Sequence, residues 1–279
     1  MTSALLYILL YNKAIKGANF SVLLIEKHAK ITNMKKLLRS VGKDKVVIFL
    51  DLEGTQFSHE LIAIGAYKAK LKKDGTFARL DKGFSQYVKA VNHIGKFVEK
   101  LTGITQETLD EKGIPYIEAM AKFKKYIGRD YKKAKFVTFG NHDIRIFSQS
   151  EHISGPSEGD LFDYIRKNHV DLSRVISEYI KDDKQNPLSL TNYCKVFDVK
   201  MSGTNHEALS DAKNLALLYN AVLKNPQVVG IEYKKVLENG KGMPRPIQKL
   251  MKQLRESGAV TDKDLERYIK EEIKGEKIK

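Results

Sequence analysis

From residue 45 onward, apolar runs and turn signals alternate along the chain, and their lengths predict an α/β protein. KVVIFLD (45–51) is a continuous apolar run closing on an acid, the pattern of a strand buried on both faces. LIAIGAYKAKL (61–71), the turn KKDGT and FSQYVKA (84–90) follow at short spacing, which predicts a three-strand antiparallel meander. A helical stretch is predicted over Tyr116–Ile127. KFVTFG (135–140) reads as a fourth strand ending at a glycine, and HVDL (169–172) as the start of another element before the helical SRVISEYI. The clearest helix is HEALSDAKNLALLYNAVL (206–223), where Ala208, Ala212, Leu215, Tyr219 and Val222 recur at the 3–4 spacing of a buried face. Beyond Asn225 come the breakers NPQ and GKGMPRP, then IQKLMKQLRES, which reads as an amphipathic helix, and VTDKDLERYIKEEI, with Thr261 as its expected N-cap.

This pattern divides the chain into an N-terminal extension (1–44), a main domain (45–224) and a charged helical C-terminal extension (225–279). Met34 opens MKKLLRSVGKDKVVIFL, and residues 1–33 are expected to come from an upstream start codon. The apolar ALLYILL (4–10) is far shorter than the roughly 20 residues of a membrane span.

Two positions break the apolar pattern in the same way. Asp51 and Glu53 end the first strand, and residues two apart on a strand point to one side. Asp211 sits on the core-facing side of the 206–223 helix, five residues after His206. Asp143 follows the fourth strand in FGNHDIRIF. Like charges gathered at buried positions are costly unless something neutralises them. All-oxygen ligands favour hard cations, Mg2+ or Mn2+, and two such ions suit in-line displacement at a phosphodiester. A neutral imidazole is the natural acceptor for the proton the attacking water loses.

The charge balance agrees. Forty-nine Lys and Arg against 34 Asp and Glu give a net charge of +15, which suits a polyanionic partner. The single cysteine, Cys194, excludes an internal disulfide and a Cys-rich zinc site, and fits a reducing cytoplasm.

DLEGT, ELIAIGA, LTGIT, FGNHD and HEALSDA, in this order, resemble the successive motifs of the DEDDh 3′→5′ exonucleases, among them ribonuclease T, polymerase proofreading subunits and oligoribonuclease-like enzymes. The resemblance spans about residues 45–224. It implies a ribonuclease H-like mixed five-stranded sheet flanked by helices and a cofactor of two ions, Mg2+ or Mn2+. By resemblance Asp51, Glu53 and Asp211 bind the nucleophile-side metal, Asp51 and Asp143 hold the second, and His206 is the general base. Thr55 is expected near the 3′-terminal nucleotide, with a turn hydroxyl as the alternative. LTGIT, through Ile104, is expected in the wall against the terminal base, with Gly103 as a simple helix end the alternative. FGNHD is more similar to the WGxxD pattern of exoribonucleases that trim short interfering RNAs and ribosomal RNA ends, and of their bacterial relatives described as sporulation inhibitors; Phe139 replaces the tryptophan.

The partners implied are single-stranded RNA or DNA 3′ ends, RNA favoured, and no membrane. A DNA exonuclease and a non-enzymatic binding protein on an exonuclease fold are the competing readings. His142 is expected to be a loop residue, and His59 and His169 carry no assigned role.

Overall fold

A computed structural model describes residues 37, 41, 46–157, 159–203, 206–238 and 243–274 of the chain. The expectation about residues 1–33 lies outside them. In chain order the elements are β1 (Val46–Gly54), β2 (Leu61–Leu71), β3 (Phe77–Leu80), β4 (Phe84–Tyr87), α1 (Lys96–Thr102), α2 (Gln106–Lys112), α3 (Tyr116–Ile127), β5 (Lys135–Thr138), α4 (His142–Ser154), α5 (Leu161–Lys167), β6 (His169–Asp171), α6 (Leu172–Ile176), α7 (Leu190–Val196), α8 (Ala208–Lys224), α9 (Pro226–Glu238), α10 (Arg245–Ser257) and α11 (Asp262–Lys274).

The mixed sheet flanked by helices is present, but among the described residues it has six strands rather than five, in the order β3-β2-β1-β5-β6 with β4 also on β2. The predicted meander is corrected in one respect. The eleven-residue β2 is long enough to carry two short strands on its outer edge, β3 against Ala69–Leu71 and β4 against Ala63–Ala66. Asp81-Lys82-Gly83 separates the two, and the half-polar FARL of β3 lacks an apolar run to announce it. β5 and β6 continue the sheet in parallel with β1. The helix expected in SRVISEYI is cut to Leu172–Ile176.

β1 is buried on both faces, and its two parities meet different layers. Val46, Ile48, Leu50 and Leu52 pack with Met120, Phe123, Ile146 and Phe147 of α3 and α4. The other parity meets α8: the Phe49 and Tyr219 rings lie 5.2 Å apart. Ala208, Ala212, Leu215, Tyr219 and Val222 of α8 are all buried, as their spacing predicts.

One glycine decides how closely α8 approaches the sheet. Gly65 lies opposite Asp51 in the β1–β2 ladder, and a Cβ there would overlap the backbone carbonyl of Ala208 at the start of α8. Backbone rests on backbone at this crossing, so the first turn of α8 settles beside the acidic end of β1.

The chain divides into two compact units. Of the described residues, those up to Ile176 and those from Leu188 to Asn225 form the unit that holds the sheet; Ser177–Pro187 and those from Pro226 onward form the other. Within the second unit Met251, Leu254 and Val260 form a small core with Leu237, Ile247 and Leu250 around it. Thr261 caps α11 as expected: its Oγ1 accepts the Asp264 N–H at 3.4 Å, and its own backbone N–H donates to Asp264 Oδ2 at 2.9 Å. Among the described residues no helix is long and apolar enough to cross a membrane.

Candidate active site

The parity of β1 that buries Val47 and Phe49 under α8 continues through Asp51 and Glu53, so both carboxylates point to the side where α8 begins. Asp211 lies in the first turn of that helix. Asp143, buried at the second position of α4, reaches across 91 residues of sequence, and its Oδ1 accepts the Leu52 N–H at 2.9 Å. That bond fixes Asp143 between Asp51 and Glu53 along the strand. His206 precedes α8 in left-handed backbone, φ 62°, and its N–H donates to Asp211 Oδ2 at 2.8 Å. The five predicted residues therefore line one cleft of about 550 Å³.

The carboxylates repel one another. Burial, then Asp143, Glu53 and Asp211, hold the Asp51 carboxyl well above its usual range. Burial, then Asp211 and Asp143, push Glu53 up to about 8. Burial raises Asp143 to about 7, with the Leu52 N–H pulling against it. A donor set of four carboxylates under mutual repulsion fits hard divalent cations by its chemistry. Among the described residues no three acids, histidines or cysteines are already closed around an ion position; Asp143 Oδ1 and Asp211 Oδ2 are engaged with backbone N–H groups.

This electrostatic load predicts a pH dependence. A carboxyl raised in the folded state contributes its stability below the unfolded value of about 4 and loses it as pH rises through the folded value. In chelator the melting temperature is expected to fall by roughly 5–10 °C between pH 5.5 and 8.5. Scanning calorimetry in EDTA checks this, and a flat or rising profile contradicts it.

Thr55 makes the turn hydroxyl expected of it as the alternative. It lines the cleft, yet it is buried, and its Oγ1 accepts the Glu60 N–H at 2.9 Å and lies 2.7 Å from Ser58 Oγ. Ile104 does not line the cleft. Gly103, at φ 72°, ends α1 and turns the chain inward, and Ile104 packs in the core with Ile62, Val98 and Leu109. The wall is formed instead by Phe97, Leu101 and Thr102 on α1, with Phe97 62% and Leu101 40% exposed.

His142 is not in a loop: it is the first residue of α4, and it lines the cleft with its ring 5.3 Å from that of His59, edge to face. Burial, then Arg145, lower both imidazoles from the ordinary histidine value. His59, Gln56 and Ser189–Thr191 also line the cleft and were not singled out from the sequence. The signal for Ser189 was its cap of α7, where it accepts the Asn192 N–H. Phe139 sits in the wall and packs edge to face on buried Tyr193 of the same helix, 5.9 Å between centroids.

Behind Asp143, Asp171 Oδ1 accepts the Gly140 and Arg174 N–H groups at 3.0 and 3.1 Å, and Thr138 Oγ1 lies 2.7 Å from His169 Nε2. His169 thus helps to hold the turn that delivers Asp143.

No curated protein sequence matches the chain. Solved structures do. Cell-death related nuclease 4 (CRN-4) is 18% identical, with a TM-score of 0.53 over 65% of this chain and 64% of that one. The nuclease domain of 3′hExo, a DEDDh family member bound to rAMP, is 20% identical, with a TM-score of 0.52 over 65% and 93%. E. coli Exonuclease I in complex with a dT13 oligonucleotide is 15% identical, with a TM-score of 0.52 over 66% and 42%. The chain thus spans under two thirds of CRN-4 and of Exonuclease I, and at these identities the likeness is one of fold. The RNase_T exonuclease model matches residues 48–219, a stretch that contains all four carboxylates and His206, and the chain belongs to that exonuclease family.

Proposed function

We propose that the protein is a divalent-metal-dependent 3′→5′ exonuclease that removes nucleoside 5′-monophosphates from single-stranded RNA ends. The observation that carries this reading is the meeting of Asp51, Glu53, Asp143, Asp211 and His206 in one cleft. Asp51, Glu53 and Asp211 would hold one Mg2+ or Mn2+ ion, and Asp51 with Asp143 the other. When bound, these ions supply Lewis acidity and neutralise charge on the phosphoryl oxygens. The protein's own residues do the rest. Exposed Phe97 and Leu101, with Phe139, offer apolar surface to a terminal base. Thr55 shapes the turn beneath the terminal nucleotide. His206, on the cleft surface, takes the proton from the attacking water.

The preference for RNA rests on FGNHD and its likeness to the exoribonuclease branch. The similar structures include both an rAMP complex and a dT13 complex, so DNA is retained as the second reading. Digestion of matched RNA and DNA oligomers, side by side, tests it. RNA is expected to be degraded faster; equal or faster loss of DNA overturns the preference. Hydrolysis is expected to stop in EDTA and return with Mg2+ or Mn2+, and full activity in chelator would count against the metal assignment.

A further inference from the structure

The segment Lys122–Lys135 carries seven basic residues and one acid, Asp130. That acid is engaged by Lys68 at 2.8 Å, which leaves the segment strongly positive. Its 3-10 turn, Gly128–Lys132, lies beside α5. Here the Tyr131 and Tyr164 rings meet edge to face at 5.7 Å. Lys124 Nζ stands 5.0 Å over the Tyr131 ring, and Lys132 Nζ stands 5.6 and 5.7 Å over Tyr131 and Tyr164. Arg129, Lys132 and Lys133 are exposed. Among the described residues the other acids nearest this face are Asp160, whose Oδ1 lies 3.4 Å from the Tyr131 hydroxyl, Asp163, paired with Arg166, and Glu118, paired with Lys122 at 3.0 Å.

This face is separate from the cleft. β5 enters the sheet at Lys135 beside Val47, whereas the carboxylates stand where the parallel strands leave it. Val47 and Glu53 are six steps apart along β1, about 20 Å at strand spacing. The rings hold two ammonium groups in place, so less side-chain freedom is lost when an anion docks on them.

We propose that this lysine–tyrosine face is a second nucleic-acid site, binding phosphates of the substrate strand upstream of the 3′ end held in the cleft. The proposal rests on the nuclease reading for the substrate's identity. A polynucleotide is favoured over an acidic protein or a lipid surface because the positive charge is spread along the face and the cleft already calls for a strand. At about 3.4 Å per stacked nucleotide, a strand anchored in the cleft needs six or more nucleotides to reach it. Short substrates therefore miss the site and long ones use it.

The test compares the wild type, a triple variant (Arg129→Glu, Lys132→Glu, Lys133→Glu) and a control with the same charge change elsewhere (Lys252→Glu, Lys263→Glu, Lys270→Glu). Binding of a labelled 30-nucleotide RNA is read by anisotropy in EDTA, and hydrolysis of a tetranucleotide is read in Mg2+. The triple variant is expected to bind the 30-mer at least tenfold more weakly, with a log–log salt slope shallower by about 2. Its tetranucleotide turnover, which also reports folding, is expected to match the wild type. Tyr131→Ala is expected to weaken the 30-mer severalfold and Tyr131→Phe to restore it. Unchanged 30-mer binding in the triple variant overturns the proposal, as does equal weakening in the control. So does a triple variant that loses only binding to phosphatidylserine vesicles or polyglutamate. If no protein cuts the tetranucleotide while the 30-mer effect holds, the nuclease reading fails and the second site stands.

Discussion

Asp51→Asn is expected to abolish hydrolysis, by roughly a thousandfold or more, and at the same time to make the metal-free protein more stable. The loss follows from Asp51's place as the carboxylate common to both proposed ion positions. The gain follows from electrostatics: Asp51 carries the penalty of burial together with repulsion from Asp143, Glu53 and Asp211. An amide of the same shape removes that charge. In EDTA at pH 8 the melting temperature is expected to rise by about 3–6 °C, and the fall in stability with pH to flatten. A lower melting temperature would mean that the carboxylate stabilises the fold, against the account given for it.

Gly65→Ala is expected to damage both stability and activity without touching a single functional group. The added methyl would be driven into the Ala208 carbonyl, which is backbone and has no rotamer to escape into. The first turn of α8 must lift, and Asp211 and the His206 turn lift with it. Overpacking of this kind costs about 3 kcal/mol. A displacement near 1 Å at a reacting centre lowers turnover by about a hundredfold. Gly103→Ala is the control. Its φ is 72° and nothing lies within 4 Å of the added carbon, so it carries backbone strain alone. It is expected to lose about 1 kcal/mol and keep its activity. Thermal melts and single-turnover rates on both variants separate the effects; equal behaviour would remove Gly65 from its positioning role.

The sequence exposed this site wherever charge contradicted burial. Asp51 and Glu53 were visible because they ended an apolar run, and Asp211 because it shared a side with Ala208 and Leu215. The α8 stripe and the Tyr116–Ile127 helix were legible for the same reason, since periodicity records which face is covered. What stayed hidden depended on contacts distant in sequence. The Leu52–Asp143 bond joins residues 91 apart, and no local pattern announces it. Phe97 and Leu101 were passed over, since only the position of α1 beside the cleft gives these exposed side chains a place in its wall. Ile104 was misplaced because the handed turn at Gly103 decides which way the next side chain points. β3 was missed because its half-polar FARL carries no apolar run, and only its pairing with the far end of β2 makes it a strand.

The central claim is that the gathered carboxylates serve stepwise phosphodiester cleavage from a 3′ end. A 5′-labelled single-stranded RNA, incubated with the protein and Mg2+ and resolved by length, tests it most directly. The expected result is a ladder shortening one nucleotide at a time from the 3′ end, with nucleoside 5′-monophosphates released, and no ladder from Asp51→Asn or in EDTA. Internal cuts, shortening from the 5′ end, or an unchanged ladder from Asp51→Asn would contradict it.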